Sequence, residues 1–191
     1  MAKQRIDSID RSRGFAPAAR RDARVLILGS LPGEHSIRAQ QYYAQPQNTF
    51  WRIMATLTGA GIEQSYAVRL AAMQRAGIAL WDVAAAAVRP GSLDAAIVRA
   101  SVEANDFGAL FARCRRIGIV FFNGAKAAEL YRRLVLPVLA EPHASLPLRR
   151  LPSTSPAHAA MPYAAKLDAW RAVGDYLRDA QSSANAIKTR R

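Results

Sequence analysis

The segment "RVLILGSLPGEHS", Arg24 to Ser36, decides the fold. Its first half is an apolar run rich in branched side chains and closed by Gly29, and its second half is a turn built on Pro32 and Gly33. An apolar run without polar alternation, bounded by glycine, is the pattern of a strand covered on both faces. "GIALWDV" (77–83) and "IGIVFF" (117–122) repeat it, and "LRRLP" (148–152) reads as a shorter fourth strand.

Helical patterns fill the intervals. "NTFWRIMATLTG" ends at Gly59, and "SLDAAIVRA" opens on Ser92 as an N-cap with Asp94 in its first turn. "NGAKAAELYRRLV" sets Ala127, Leu130, Tyr131 and Leu134 on one face, as "YAAKLDAWRAVGDYL" does Leu167, Trp170, Val173 and Leu177. Strands alternating with helices predict an α/β fold around a mostly parallel sheet, whose ligands sit beyond the carboxyl ends of the strands. Three segments therefore matter for function: "GSLPGEHS", "FNGAK" and "PSTSPAHA".

The 191 residues suit one domain, and a chain of this size buries roughly 70% of its unfolded surface. No apolar run approaches the roughly 20 residues of a membrane helix. The N-terminus lacks the apolar stretch of a secretory signal and Cys114 is the single cysteine, which together predict a reducing cytoplasm. Cys114 itself reads as a small buried apolar side chain without a role. Residues 1–20 and 181–191 are polar, basic and aperiodic, and are expected to be a flexible arm and tail around a body at 21–180.

Lys and Arg outnumber Asp and Glu by 27 to 14, a formal net charge of +13. A polyanionic partner fits, nucleic acid best, because neutralised phosphates release counterions. An Arg-rich composition alone would give the same excess, so charge does not separate the two.

Several chemistries are excluded by the motifs. "GSLPGEHS" lacks the Lys-Ser/Thr ending and the glycine spacing of a phosphate-binding loop, there is no Gly-x-Ser-x-Gly elbow, and no His, Cys and carboxylate cluster has metal-ligand spacing. A Ser-His pair drawn from Ser30, Ser153 or Ser155 with His35 or His158 leaves a small esterase as an alternative. More informative is "YYAQPQNTFW": a Tyr ring can stack on a nucleobase, and an Asn amide offers both a donor and an acceptor. Phe50 and Trp51 are expected to pack their helix onto the sheet, while Asn48 either caps that helix or serves a ligand.

Taken together and in order, "LILGSLPGEHSIRAQQYYAQPQNTFWRIM", "GIALWDV", "GSLDAAI", "VFFNGAKA" and "LPSTSPAHA" resemble the uracil-DNA glycosylase superfamily, most closely its hypoxanthine-DNA (deoxyinosine) glycosylase branch. The likeness runs from about Phe15 to Leu177. It implies a three-layer α/β/α sandwich with a central four-stranded, mostly parallel sheet, formed by a single glycosylase domain. It also implies a monofunctional enzyme of base-excision repair that needs no cofactor. Such an enzyme flips a deaminated base, hypoxanthine in preference to uracil, out of double-stranded DNA and hydrolyses its glycosidic bond, leaving an abasic site. A monomer working at the nucleoid in the cytoplasm, without membrane contact, belongs to the same picture. A mismatch-specific uracil or thymine glycosylase and a catalytically weak DNA-binding relative are the alternatives.

The resemblance also carries site residues. Ser30, Leu31, Pro32 and Gly33 fall on the turn that shapes the base pocket, where Leu31 replaces the amide that positions water in mismatch-specific relatives. Asn48 matches the Asn that takes the catalytic role in the hypoxanthine branch. Tyr43 matches the ring that stacks on the flipped base. Asn123 stands where an Asn often reads the base edge; capping of the helix beginning at Gly124 is the alternative role. Ser153, Thr154, Ser155 and His158 lie on the loop that grips the DNA backbone, and Ser155 occupies the place of the usual apolar wedge. On this reading Asn48→Ala abolishes inosine release and Leu31→Asn raises uracil release.

Overall fold

The computed structural model describes residues 11–189. Its centre is a four-stranded sheet of β2 (Val25–Gly29), β3 (Ile78–Asp82), β6 (Ile119–Asn123) and β7 (Leu148–Leu151), in the order β3-β2-β6-β7. Every neighbouring pair is parallel. The expected α/β fold around a parallel sheet is the one observed, and the fourth strand is where "LRRLP" placed it.

The apolar runs lack polar alternation because both faces of the sheet are covered. Val25, Ile27, Ile78, Leu80, Ile119 and Phe121 point to one side, into a core shared with α2 (Phe50–Thr58), α3 (Tyr66–Arg75) and α6 (Tyr163–Thr189). Their alternates Leu26, Leu28, Ala79, Trp81, Val120 and Phe122 point to the other, against α4 (Phe107–Arg113) and α5 (Ala125–Leu130). Odd and even positions of each strand thus feed two separate cores, which makes the three layers. α2 stops where the sequence said, at Gly59, whose φ of 75° lets its N–H bond Ala55 O at 2.9 Å. α5 runs on through a π-helical turn, Tyr131–Val135. Cys114 is buried among the second core's side chains.

A second, antiparallel sheet joins β1 (Arg11–Arg13), β4 (Ala84–Val88) and β5 (Glu103–Ala104), in the order β1-β4-β5. The sequence concealed it. β4 is "AAAAV", a run with little strand preference of its own, and it pairs with β1 from the far end of the chain. Residues 11–20, expected in a flexible arm, consequently belong to the folded body: β1 pairs with β4, and Ala18 and Leu80 exchange backbone hydrogen bonds at 2.9 and 3.0 Å. The rest of that arm, residues 1–10, lies outside the described residues. At the other end, the expected irregular tail is helical through Thr189.

"SLDAAIVRA" is not an α-helix. It forms two 3-10 turns, Asp94–Ala96 and Arg99–Ser101. The groups that would have capped a helix are taken by tertiary partners: Ser92 Oγ accepts from Glu34 N at 3.1 Å, and Asp94 accepts from Ser30. Ile97 is drawn inward against Leu31, Ala84 and Ala87. No helix among the described residues is long and apolar enough to cross a membrane.

Candidate active site

The carboxyl ends of the strands lie in register, Gly29 beside Asp82 and Asn123 beside Leu151. Above the first three of these residues opens a cavity of about 620 Å³, a size ordinary for a small-molecule site. Its walls are the turn after β2, which leads into the short helix α1 (Glu34–Ala39), the segment from Tyr42 to Asn48, the loop at 92–94 and the loop at 153–158. All three segments singled out in the sequence contribute to it.

At its floor a glycine makes room for a carboxylate. A Cβ on Gly29 would collide with Asp82 Oδ1 and come within 3.0 Å of Tyr43 Oη, so only glycine lets β2 end there. Asp82 is buried, and its Oδ2 has no hydrogen-bond partner among the described residues. Burial pushes its carboxyl up to about 7; the nearby Asp94 adds to the rise and Arg89 opposes it. A carboxylic acid half protonated near neutrality, in a pocket, has the properties of a general acid. Sequence reading missed it. The signal available was a lone acid closing an otherwise apolar strand, "GIALWD", since aspartates are almost never fully buried without a partner.

The turn Gly29–Gly33 is fastened from behind. The guanidinium of buried Arg89 donates to Leu31 O at 3.2 Å, to Pro32 O and to Gly91 O at 3.0 Å. Burial pulls the Arg89 pKa down, and Asp94, Asp82 and Glu34 pull it back up. Ser30, also buried, spends its hydroxyl on Asp94, whose carboxyl is raised chiefly by burial. With these carbonyls and this hydroxyl occupied, the polar groups of the turn without a hydrogen bond to a described residue are its N–H groups at Ser30, Leu31 and Gly33. The Leu31 side chain packs on Ala84, Ala87 and Ile97 and is only 5% exposed. Arg89, like Asp82, was not singled out in the sequence.

Tyr43 and Asn48 flank the cavity from the α2 side. Tyr43 has φ of 54° and stacks on Phe50 with ring centroids 4.0 Å apart and planes 24° from parallel. Phe50 therefore covers one face of the ring and only the other is left for a ligand. The Tyr43 hydroxyl is buried and makes no hydrogen bond of good geometry to a described residue; burial raises its pKa far above the ordinary phenol value, with the charge of Asp82 adding to the rise and the neighbouring Asn123 amide opposing it. Asn48 Oδ1 accepts from Phe50 N at 3.0 Å, fixing the start of α2. This assigns its orientation and leaves Nδ2 without a hydrogen bond to any described residue. Phe50 and Trp51 are buried in the core, as their packing role required.

The third wall removes one alternative and corrects one expectation. Asn123 does not cap α5, where Gly124 stands with φ of 96°. Its Nδ2 donates to Thr154 Oγ1 at 2.8 Å, and its Oδ1 accepts from Thr154 N at 2.9 Å. Thr154 is fully buried, and its carbonyl accepts from Thr49 N at 3.1 Å, so it anchors the loop inside the protein and cannot offer a hydroxyl to a phosphate. Ser153 Oγ accepts from Ser155 N and Ser155 Oγ from Ala157 N, both at 3.2 Å, which leaves each hydroxyl proton free to donate outward. His158 is exposed at the rim. None of these serines, nor Ser30, is hydrogen-bonded to a histidine among the described residues, so the Ser-His pair of an esterase is not assembled.

Comparison with known proteins identifies this arrangement. The family model of the Uracil DNA glycosylase superfamily matches residues 17–174. The chain is similar to the hypoxanthine DNA glycosylase of Methanosarcina barkeri (strain Fusaro / DSM 804), 40% identical over 120 residues, which are 62% of this chain and 75% of the relative. The hypoxanthine DNA glycosylase of Methanosarcina acetivorans is 40% identical over 118 residues, 61% and 73% of the two chains. The fold superposes on a solution NMR structure from Methanosarcina acetivorans, described as a candidate uracil DNA glycosylase, with a TM-score of 0.74 and 34% identity over 88% of this chain and 99% of that one.

Proposed function

This chain belongs to the uracil DNA glycosylase superfamily, and from that premise we propose that its cavity receives a flipped hypoxanthine and releases it as a free base. The protein is a monofunctional DNA glycosylase of base-excision repair, acting on deaminated bases. The preference for hypoxanthine, the roles of the site residues, and action as a monomer on chromosomal double-stranded DNA in the cytoplasm form our reading beyond this.

The observation that carries the reading is the unpartnered Asp82 carboxyl at the cavity floor. A departing uracil spreads its charge over two carbonyl oxygens and needs only hydrogen-bond donors. A purine leaves more readily when a ring nitrogen is protonated. In our mechanism neutral Asp82 gives its proton to a ring nitrogen of hypoxanthine as the glycosidic bond breaks, the electron pair of that bond going to the base. Water adds to the oxocarbenium-like sugar at its anomeric carbon and loses a proton to solvent, and Asp82 is reprotonated from solvent.

Asn48 Nδ2, without a hydrogen bond to any described residue, holds that water or the base with its donor. The open face of Tyr43 stacks on the base. N–H groups of Ser30, Leu31 and Gly33, on a turn whose side chains Leu31 and Pro32 close the wall, stabilise charge developing on the base oxygen. Asn123 keeps the pocket's third wall in place, with one amide proton and one lone pair still available to a base edge. Ser153, Ser155 and His158 meet the phosphates beside the lesion.

The test is incubation with duplexes containing inosine, uracil, thymine opposite guanine or only normal bases, followed by alkali. Strand breaks at inosine well above those at uracil are expected. Preference for uracil or mispaired thymine would assign the protein to the mismatch glycosylases, and no cleavage at any altered base would reduce it to a DNA-binding relative.

A further inference from the structure

The loop after β4 is fastened to the pocket wall on both sides of one residue. Gly91 O accepts from Arg89, Ser92 Oγ from Glu34 N, and Asp94 from Ser30. Leu93, between these anchors, is nevertheless 60% exposed and stands at the rim of the cavity. A single exposed leucine is ordinary. One held rigidly at the mouth of a cavity that admits a flipped base is placed to act.

The opposite lip lacks a comparable group. Ser155, Ala157 and His158 are small or polar, and Pro156, at the start of a 3-10 turn, is the largest apolar residue there. Extruding a nucleotide leaves a gap in the stack, and proteins that distort DNA commonly fill such gaps with an inserted apolar side chain. A wedge must not yield when pressed against stacked bases. The hydrogen bonds on either side of Leu93 tie its loop to Ser30 in the turn after β2, to the start of α1 and to buried Arg89, and so meet that condition. We propose that Leu93 is the wedge that enters the duplex and occupies the space vacated by the flipped nucleotide. This assignment rests on the glycosylase reading.

A wedge matters only where there is a stack to enter. Leu93→Ala shortens a side chain that is 60% exposed and removes none of the hydrogen bonds that anchor its loop. It is expected to slow single-turnover hypoxanthine release from an inosine duplex by about tenfold or more. Release from the same inosine strand without its complement should change by less than about twofold, because its bases need little unstacking. Leu93→Met should retain the duplex rate. As a second readout, a 2-aminopurine beside the inosine should brighten when the wild-type protein binds the duplex, and brighten less with Leu93→Ala.

An unchanged duplex rate and an unchanged fluorescence rise in Leu93→Ala would overturn the assignment, and so would equal losses on duplex and single strand. If the wild-type protein released hypoxanthine from neither substrate, the glycosylase reading itself would fall, and the wedge with it.

Discussion

Asn123 and Thr154 exchange two hydrogen bonds, Nδ2 to Oγ1 at 2.8 Å and backbone N to Oδ1 at 2.9 Å, so that one side chain closes the end of β6 onto the loop after β7. Asn123→Ala strands a buried amide N–H and a buried hydroxyl. The expected cost is about 2 kcal/mol of stability, read from urea unfolding. Loosening of the loop should also weaken duplex binding, raising KM more than it lowers kcat. A variant with wild-type stability and a lost kcat would instead make Asn123 a direct reader of the base.

Asp82 makes activity depend on pH with a defined sign. Only its protonated form donates, so single-turnover release of hypoxanthine should hold steady below about 7 and fall as pH rises through that value. Asp82→Asn should lose roughly a hundredfold in rate and flatten the profile. A variant whose rate still falls with the same midpoint would transfer the titration to another group.

The same carboxyl bears on folding. Its folded-state pKa lies above that of an unfolded aspartate, so between roughly 4 and 7 the native state binds more protons, and this group's contribution to stability declines as pH rises across that window. Asp82→Asn removes the decline. Its Tm relative to wild type should be higher at pH 8 than at pH 4, and an equal difference at both would contradict the burial argument.

Asn48 combines a structural bond and a free donor, and the two are separable. Asn48→Asp keeps an oxygen for Phe50 N but deletes the amide protons. The Tm should stay within about 2 °C of wild type while inosine release falls roughly a hundredfold. Asn48→Ala should lose both. Full activity in Asn48→Asp would confine the residue to capping α2.

Leu31→Asn, expected from the motif to raise uracil release, now has the opposite outlook. At 5% exposure against Ala84, Ala87 and Ile97, the new amide would lie in an apolar cluster rather than facing water. The expected result is a loss of about 2 kcal/mol in stability and no gain on uracil, checked by thermal melting and by alkali cleavage of a uracil duplex.

The contrast marks what the sequence could convey. Strands such as Val25–Gly29 were legible because burial on both faces writes itself as an unbroken apolar run. β4 was not, since four alanines and a valine acquire strand geometry from the partners on either side, β1 and β5, with Arg11 of β1 set beside Val88. In the site, Tyr43 and Asn48 could be marked from motif resemblance. Asp82 and Arg89 were not: Asp82 left only the faint signal of a lone acid closing an apolar strand, and whether a charged residue such as Arg89 is buried depends on what the rest of the chain brings around it. Thr154 was misread for the same reason: a hydroxyl in a Ser/Thr-rich loop looks available until Asn123 and Thr49 claim the residue.

Arg89, Ser30–Asp94 and Ser92–Glu34 stitch two loops into one wall before any DNA arrives. Such a receptor has little left to rearrange, so on the proposed reading the distortion of recognition falls on the duplex. Lesions are then sorted first by how easily each leaves its helix, and only afterwards by chemistry. A loosely paired inosine would be sampled many times for each visit by a sound guanine, and the protein would patrol the genome by testing its weakest joints.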